Sequence, residues 1–264
     1  MIKLIATDVD GTLVKDSTPE LYEELIQAIQ TLSDQGIQFV VASGRQYASI
    51  QKMFAPVERN LIYIAENGAH IKKDGKDFLV KEMNRIDVEE IMYDLRKFYP
   101  ECHVVASTAR GCFLETKNQE FIDLIRYGYR NEITLVDDIL AVSQPIIKLA
   151  IYKKDTMREI GESILIPKWK NRVKTCMAGD EWVDFMDRSV DKGNALKIVQ
   201  QELMIDRKET MSFGDNHNDL GLIMEAEHSY AVENAVLEVR ELAKNICPSY
   251  QEKGVYQILR SLYE

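Results

Sequence analysis

The fold is decided by one stretch near the start of the chain, Ile2-Lys3-Leu4-Ile5-Ala6-Thr7-Asp8-Val9-Asp10-Gly11-Thr12. Its first half is a short apolar run and its second half is polar, which is typical of a buried strand that ends in a loop. Apolar residues then recur at helical spacing from Leu21 to Leu32, and a second apolar run covers 37–42. The order predicts a β-α-β unit, and hence a parallel sheet.

The same alternation continues, is interrupted, and then returns. A strand over 61–65 and a hairpin over 69–81 are predicted next, whereas 83–186 contains short strand and helix patterns typical of an antiparallel α+β unit. From Lys192 the helix and strand alternation resumes. We therefore predict an α/β fold: a Rossmann-like three-layer core with a parallel sheet, formed by 1–82 with 187–264, and an α+β cap domain inserted as 83–186.

Two helix starts are also predicted from capping patterns. Thr18 and Pro19 have the residue types of an N-cap and first helical position. Asp87-Val88-Glu89-Glu90 resembles a capping box at the start of a helix that carries Ile91 and Leu95.

Composition excludes several classes of protein. The 264 residues are 45% hydrophobic and 29% charged, which is typical of a globular protein. A net charge of −10 disfavours a nucleic-acid or anionic-membrane binder. The apolar runs are too short for a membrane helix, and Asp8 interrupts the first one too early for a signal peptide, so we expect a cytoplasmic protein. The four cysteines form no C-x-x-C pair, which argues against a zinc cluster or disulfide framework.

Polar residues able to do chemistry follow four of the predicted parallel strands. They are Asp8 and Asp10, then Ser43 and Arg45, then Asn67, and finally Asp215, Asn218 and Asp219. Because ligands of open parallel sheets bind outside the carboxyl ends of the strands, we expect these residues to meet in one crevice.

Four of these residues are acids, and like charges so close together would repel one another and raise their pKa values. A hard divalent cation relieves that repulsion, and Mg²⁺ suits carboxylates together with a phosphate. Lys192, at a predicted helix start, could hold a phosphate oxygen as a point charge. His217 could act as a catalytic base, although a single histidine beside carboxylates is more often a solvated neighbour.

These motifs together resemble the haloacid dehalogenase superfamily of phosphotransferases that use an aspartate nucleophile. Asp8-Val9-Asp10-Gly11-Thr12 resembles the first motif, Ser43 in Ala42-Ser43-Gly44-Arg45 the second, Lys192 the third, and 214–219 the fourth. Glu66-Asn67-Gly68-Ala69 and the insertion after it resemble the Cof-type subfamily, which has a large α/β cap of type IIB. The resemblance extends over the whole chain.

The resemblance implies a mechanism and a set of site residues. Asp8 would be the nucleophile and Asp10 the general acid and base. Mg²⁺ would be held by Asp8, the Asp10 carbonyl and Asp215, with Asp219 either a direct ligand or a support for the ligands. The phosphate would be bound by Ser43, Lys192, Asn218 and the Val9 and Gly44 amides, and the substrate or cap by Arg45 and Asn67.

The resemblance thus implies an Mg²⁺-dependent phosphatase acting on small phosphorylated metabolites, such as sugar phosphates or phosphorylated cofactors or nucleotides. Two alternatives stay open: a phosphomutase that keeps the aspartyl-phosphate, and a regulator that binds a phosphometabolite without turnover. In the cap, 148–174 contains eight Lys or Arg and three acidic residues. That segment could attract anionic substrates or be a solvated face. Trp182 could stack on a substrate ring or pack in the core.

Overall fold

A computed structural model describes residues 1–15, 18–57 and 59–264. The chain divides into two compact units, 1–79 with 191–264 and 80–190, and each is described separately. In the described residues, every helix is too short or too polar to cross a lipid bilayer.

The secondary structure is numbered in chain order. The strands are β1 (Leu4–Thr7), β2 (Gln38–Ala42), β3 (Ile62–Ala65), β4 (His70–Lys73), β5 (Lys76–Val80), β6 (His103–Thr108), β7 (Gly111–Leu114), β8 (Ile133–Leu135), β9 (Lys148–Tyr152), β10 (Lys174–Met177), β11 (Trp182–Met186), β12 (Thr210–Gly214), β13 (His228–Val232) and β14 (Asn245–Cys247). The helices are α1 (Glu23–Asp34), α2 (Tyr47–Phe54), α3 (Arg85–Phe98), α4 (Gln119–Asp123), α5 (Met157–Ile160), α6 (Ile166–Trp169), α7 (Lys192–Leu203), α8 (Leu220–Met224), α9 (Leu237–Leu242) and α10 (Gly254–Arg260).

The first unit contains an eight-stranded sheet in the order β14-β13-β12-β1-β2-β3-β4-β5. The six strands from β14 to β3 are parallel, and β4 runs antiparallel to β3. Alternate side chains of β1 enter different apolar clusters: Ile5 packs with α1, whereas Leu4 and Ala6 pack with α7. Both faces of the sheet are therefore covered, as the predicted three-layer α/β core requires.

The second unit contains a six-stranded sheet in the order β10-β11-β9-β6-β7-β8. All neighbouring strands are antiparallel except β7 and β8. On β6, Val104 and Ala106 belong to the cluster with α3, whereas Val105 belongs to the cluster with α4. This sheet is the α+β unit that the sequence predicts within the parallel fold.

Both helix starts predicted from capping patterns are wrong, whereas the helix start predicted at Lys192 is confirmed. Helix α1 begins at Glu23 after Tyr22, and Thr18 instead uses its carbonyl oxygen to accept a hydrogen bond from Arg45, 3.0 Å away. Helix α3 begins at Arg85 because Asn84 caps it, its side chain accepting from the Ile86 N–H at 2.9 Å. The predicted capping box therefore lies inside the helix.

Candidate active site

Three carboxylates meet beyond the ends of the two central parallel strands. Asp8 directly follows β1, and its N–H donates to the Phe213 carbonyl of β12 at 3.0 Å. Asp215 directly follows β12, and Asp219 ends a short 3₁₀ turn before α8. One oxygen from each of the three carboxylates lies within 4.8 Å of the others. We call Asp8, Asp215 and Asp219 the acid cluster.

Lys192 lies fully buried beside this cluster. Its Nζ is 2.5 Å from Asp8 Oδ1 and 2.6 Å from Asp219 Oδ1. It is the first residue of α7, whose start is fixed by Asp191 as N-cap. A Cβ on Gly193 would lie 2.3 Å from the Gly221 carbonyl carbon, so the glycine allows α7 to approach α8 closely enough to bring the lysine here.

The electrostatics of the acid cluster reflect burial and crowding. Burial, followed by the charge of Asp219, raises the pKa of Asp8 well above 3.8, and Lys192 offsets this only in part. Burial and Asp219 likewise raise the pKa of Asp215 to about 7. Burial alone would lower the pKa of Lys192, but Asp219 and Asp8 outweigh it and raise the pKa. The three carboxylates of the acid cluster, when ionised, therefore carry more negative charge than Lys192 alone neutralises.

This donor set fits a divalent cation. All three groups offer hard oxygen ligands, which suits Mg²⁺ or Ca²⁺ rather than a metal that prefers sulfur or nitrogen. With the three acids ionised and Lys192 protonated, the side chains sum to two negative charges, which one divalent cation neutralises.

Two residues that the sequence analysis did not assign to the site brace the loop after β1. Thr12 donates from Oγ1 to Asp215 Oδ1 at 2.8 Å, and Asn234 donates from Nδ2 to the Gly11 carbonyl at 2.7 Å. Thr12 is the last residue of the motif that begins at Asp8. Asn234 follows strand β13, so the rule that polar residues after parallel strands line one crevice would also have identified it. Gly11 has φ of +82°, and a Cβ there would lie 2.4 Å from Asp215 Oδ2.

Several of the residues implied for phosphate or substrate binding form a second connected group. Ser43 Oγ accepts from the Arg45 N–H at 3.1 Å, and the Asn67 N–H donates to the Ser43 carbonyl at 3.0 Å. Asn67 Oδ1 accepts from Asn218 Nδ2 at 3.0 Å and would lie 3.1 Å from a Cβ on Gly44. The loops after β2, β3 and β12 are therefore in contact through these side chains.

Val9 and Asp10 occupy the loop between the two groups. The Val9 carbonyl accepts from the Leu13 and Val14 N–H groups at 2.9 and 3.2 Å, which closes the loop, and its side chain is buried. The sequence predicts four acids close together, but the structure groups only three of them: the Asp10 carboxylate lies outside the acid cluster and pairs with Arg45, whose Nε donates to Oδ2 at 2.7 Å.

The remaining predicted candidates lie in other contacts. His217 is exposed, with its Nε2 3.6 Å from Glu238 Oε1, as expected of a solvated neighbour. Trp182 packs against Phe121 and Tyr152 and donates from Nε1 to the Tyr129 hydroxyl at 3.0 Å. Its ring is thus in contact with an aromatic cluster of the second unit.

The basic segment 148–174 is largely ion-paired within the second unit. Lys153 lies 2.6 Å from Glu101 Oε1, Arg172 Nη2 lies 2.5 Å from Asp87 Oδ1, and Lys168 pairs with Asp94. Lys148 and Asp184 form a buried pair at 3.4 Å. This ion pairing within the unit leaves less of the segment's positive charge to attract an anionic substrate.

The fold and the acid cluster define a class that sequence comparison also identifies. The family of haloacid dehalogenase-like hydrolases matches residues 5–259, and the chain belongs to it. The chain is 27% identical over 258 residues to the 5-amino-6-(5-phospho-D-ribitylamino)uracil phosphatase YbjI of Escherichia coli, covering 98% of this chain and 95% of that protein. The 5-amino-6-(5-phospho-D-ribitylamino)uracil phosphatase YitU of Bacillus subtilis is 22% identical over 264 residues, covering 98% of this chain and 97% of that protein.

Solved structures agree with this assignment. A Eubacterium rectale protein has 37% sequence identity and a TM-score of 0.89, covering 99% of both chains. TM0651 from Thermotoga maritima has 25% identity and a TM-score of 0.85, covering 100% of this chain and 98% of that one. The predicted family and fold class are confirmed, and the chain is an enzyme of this family, a phosphatase that acts on a phosphorylated substrate.

Proposed function

We propose that the protein hydrolyses small phosphorylated metabolites with Mg²⁺ and forms an aspartyl-phosphate on Asp8. The observation that carries the proposal is the buried contact of Lys192 with Asp8 and Asp219, next to Asp215. A carboxylate is a weak nucleophile toward a phosphate dianion unless positive charge offsets the repulsion. Lys192 supplies one such charge, held 2.5 Å from the proposed nucleophile.

Two half-reactions follow from this arrangement. In the first, an Asp8 oxygen attacks phosphorus, the bond from phosphorus to the leaving oxygen breaks, and Asp10 gives its proton to that oxygen. In the second, Asp10 takes a proton from water, the water oxygen attacks phosphorus, and the bond to Asp8 breaks to release inorganic phosphate. Asp10 thus acts as general acid and then as general base.

Asp8 and Asp215 are the proposed carboxylate ligands of Mg²⁺, together with the Asp10 carbonyl. Bound there, Mg²⁺ would neutralise charge on the phosphoryl oxygens. Asp219 is better suited to support these ligands, because Oδ1 accepts from Lys192 and Oδ2 accepts from the Asp215 and Asn216 N–H groups at 3.0 and 3.1 Å. It would hold the lysine and the loop after β12 in place.

The remaining assignments extend the proposal to the phosphate and the cap. Ser43, Asn218 and the Val9 and Gly44 amides would bind phosphate oxygens, and Asn67 would orient Asn218 through their hydrogen bond. The unit 80–190 is proposed as the cap that selects the substrate. The free thiols of the four cysteines fit the reducing cytoplasm, which we propose as the compartment.

A turnover screen tests the proposal. Purified protein is assayed for phosphate release with Mg²⁺ and with EDTA on sugar phosphates, nucleotides and phosphorylated vitamins. The compound 5-amino-6-(5-phospho-D-ribitylamino)uracil, for which two relatives are named, is tested first. Wild-type turnover that is lost in Asp8→Asn supports the proposal. Tight binding without turnover would indicate a regulator, and activation by a bisphosphate would indicate a phosphomutase.

A further inference from the structure

Arg45 makes a two-point contact with the proposed general acid. Its Nε donates to Asp10 Oδ2 at 2.7 Å, and its Nη2 donates to Asp10 Oδ1. The same Nη2 also donates to the Thr18 carbonyl at 3.0 Å. A planar guanidinium that meets both oxygens of a carboxylate fixes its rotation as well as its position.

The backbone of Arg45 is itself held in place at both ends. Its N–H donates to Ser43 Oγ at 3.1 Å, and its carbonyl accepts from the Glu66 N–H at 3.0 Å. The guanidinium therefore extends from a fixed point on the loop after β2 to the loop after β1. Its side chain is 14% exposed, whereas that of Asp10 is 27% exposed.

Asp10 needs such support because the acid cluster does not provide it. Lys192 forms ion pairs with Asp8 and Asp219, and Thr12 donates a hydrogen bond to Asp215. A group that gives a proton in one half-reaction and takes one in the other must present its oxygen at the same place each time, and small displacements cost much of the rate.

We propose that Arg45 is a positioning residue for Asp10: it orients the carboxylate for both proton transfers, rather than binding the substrate as the family resemblance implies. The inference rests on the proposed function. It separates Arg45 from Ser43 and Asn218, whose proposed role is to bind the phosphate.

The dependence of the rate on the leaving group distinguishes these roles. 4-Nitrophenolate is weakly basic and leaves without a proton, whereas phenolate and 4-methylphenolate need one. Because kcat/KM reports steps up to loss of the leaving group, an acid-positioning residue affects it only for the more basic leaving groups. A residue that binds the phosphate affects all three phosphates equally.

The test compares 4-nitrophenyl, phenyl and 4-methylphenyl phosphate. In Arg45→Gln we expect kcat/KM to fall about ten- to a hundredfold for phenyl phosphate, within the about 10²- to 10⁴-fold that general acid catalysis contributes, and less than about threefold for 4-nitrophenyl phosphate. Hydrolysis of the intermediate should also slow, giving a burst of 4-nitrophenol. Arg45→Lys keeps the charge but not the two-point geometry, so its kcat/KM for phenyl phosphate should lie between those of wild type and Arg45→Gln.

Two further variants complete the design. Adding Arg45→Gln to Asp10→Asn should cause no further loss on phenyl phosphate, because both changes remove the same proton transfer. Arg59→Gln is the matched control: Arg59 also meets an aspartate at two points, with Nε 2.9 Å from Asp34 Oδ1 and Nη2 3.1 Å from Asp34 Oδ2. We expect it to leave all three rates unchanged.

An equal loss of kcat/KM for all three phosphates in Arg45→Gln, with no burst, would overturn the inference and leave the proposed function intact. Additive losses in the double variant would also overturn it. Wild-type protein that releases phosphate from neither this series nor the metabolite panel, or Asp8→Asn that hydrolyses the series equally well, would overturn the proposed function and the inference with it.

Discussion

Replacing Lys192 with methionine should destabilise the protein and abolish turnover, and Mg²⁺ should repair only the first defect. Methionine has a similar length but no charge. Lys192 is fully buried, and its Nζ contacts Asp8 and Asp219 at 2.5 and 2.6 Å. The variant leaves these buried carboxylates without their cation, and Asp215 adds a third negative charge nearby.

The size of the effect follows from these contacts. At an effective dielectric constant near 20, each contact at this separation contributes about 6 kcal/mol of attraction, which the cost of removing the charges from water largely offsets. Breaking a buried ion pair by removing one partner typically costs about 3–5 kcal/mol. For a protein of this size that loss lowers Tm by about 6–20 °C.

The assay is thermal unfolding of wild type and Lys192→Met at pH 8, in EDTA and in Mg²⁺, with phosphate release measured in parallel. Mg²⁺ should raise Tm more in the variant, because the cluster then has one more unneutralised charge. Lys3→Met is the control, since Lys3 pairs with Glu209 at 2.6 Å but is half exposed, and such pairs contribute about 0–1 kcal/mol.

Two results would refute this reasoning. If Lys192→Met unfolds in EDTA within about 2 °C of wild type, a shift worth less than about 1 kcal/mol, the buried charges are not coupled as the distances indicate. If the variant keeps wild-type turnover, Lys192 does not offset charge on the reacting phosphate.

Two further predictions concern the cation site. The pKa of Asp215 is raised to about 7, so between about pH 4 and 7 the folded protein holds a proton that the unfolded chain has released. The contribution of Asp215 to the free energy of unfolding therefore falls as pH rises through this range. Mg²⁺ binds the ionised form, so the rise in Tm caused by Mg²⁺ should be larger at pH 8 than at pH 5; an equal rise at both would contradict the assignment. Gly11→Ala should weaken Mg²⁺ binding measured by calorimetry, because its Cβ would lie 2.4 Å from Asp215 Oδ2. Gly36→Ala is the control: Gly36 has a similar φ, +89° against +82° for Gly11, but a Cβ there would meet no atom within 4 Å, so Mg²⁺ binding should not change. Equal affinities in the two variants would indicate that the close contact does not position Asp215.

The sequence was sufficient to predict which loops carry the candidate site residues. Strand ends are readable because apolar runs stop abruptly, as at Thr7 and Ala42, and parallel strands bring those ends to one edge of the sheet. That rule placed Asp8, Ser43 and Asp215 correctly in neighbouring loops. The helix start at Lys192 was also readable, because the helical pattern resumes there.

What the sequence could not predict is how competing polar groups pair. Thr18 has the residue type of an N-cap, but its carbonyl accepts from Arg45, and α1 begins five residues later. Asn84 and Asp87 are both suitable caps, and only Asn84 is used. Such choices depend on tertiary contacts and on energy differences of about 1 kcal/mol, which residue type alone does not resolve. The three-residue strand β14 is too short for its pattern to be recognised.

Charge pairing accounts for the different roles that we propose for the two aspartates of one short motif. When Asp10 is ionised, its charge is balanced by the Arg45 guanidinium with which it pairs, outside the acid cluster. Lys192 neutralises only part of the charge on Asp8, Asp215 and Asp219, which leaves the remainder for a divalent cation. Two side chains far from the motif in sequence, Arg45 and Lys192, thus separate the carboxylate that we propose to transfer protons from the one that we propose to attack phosphorus.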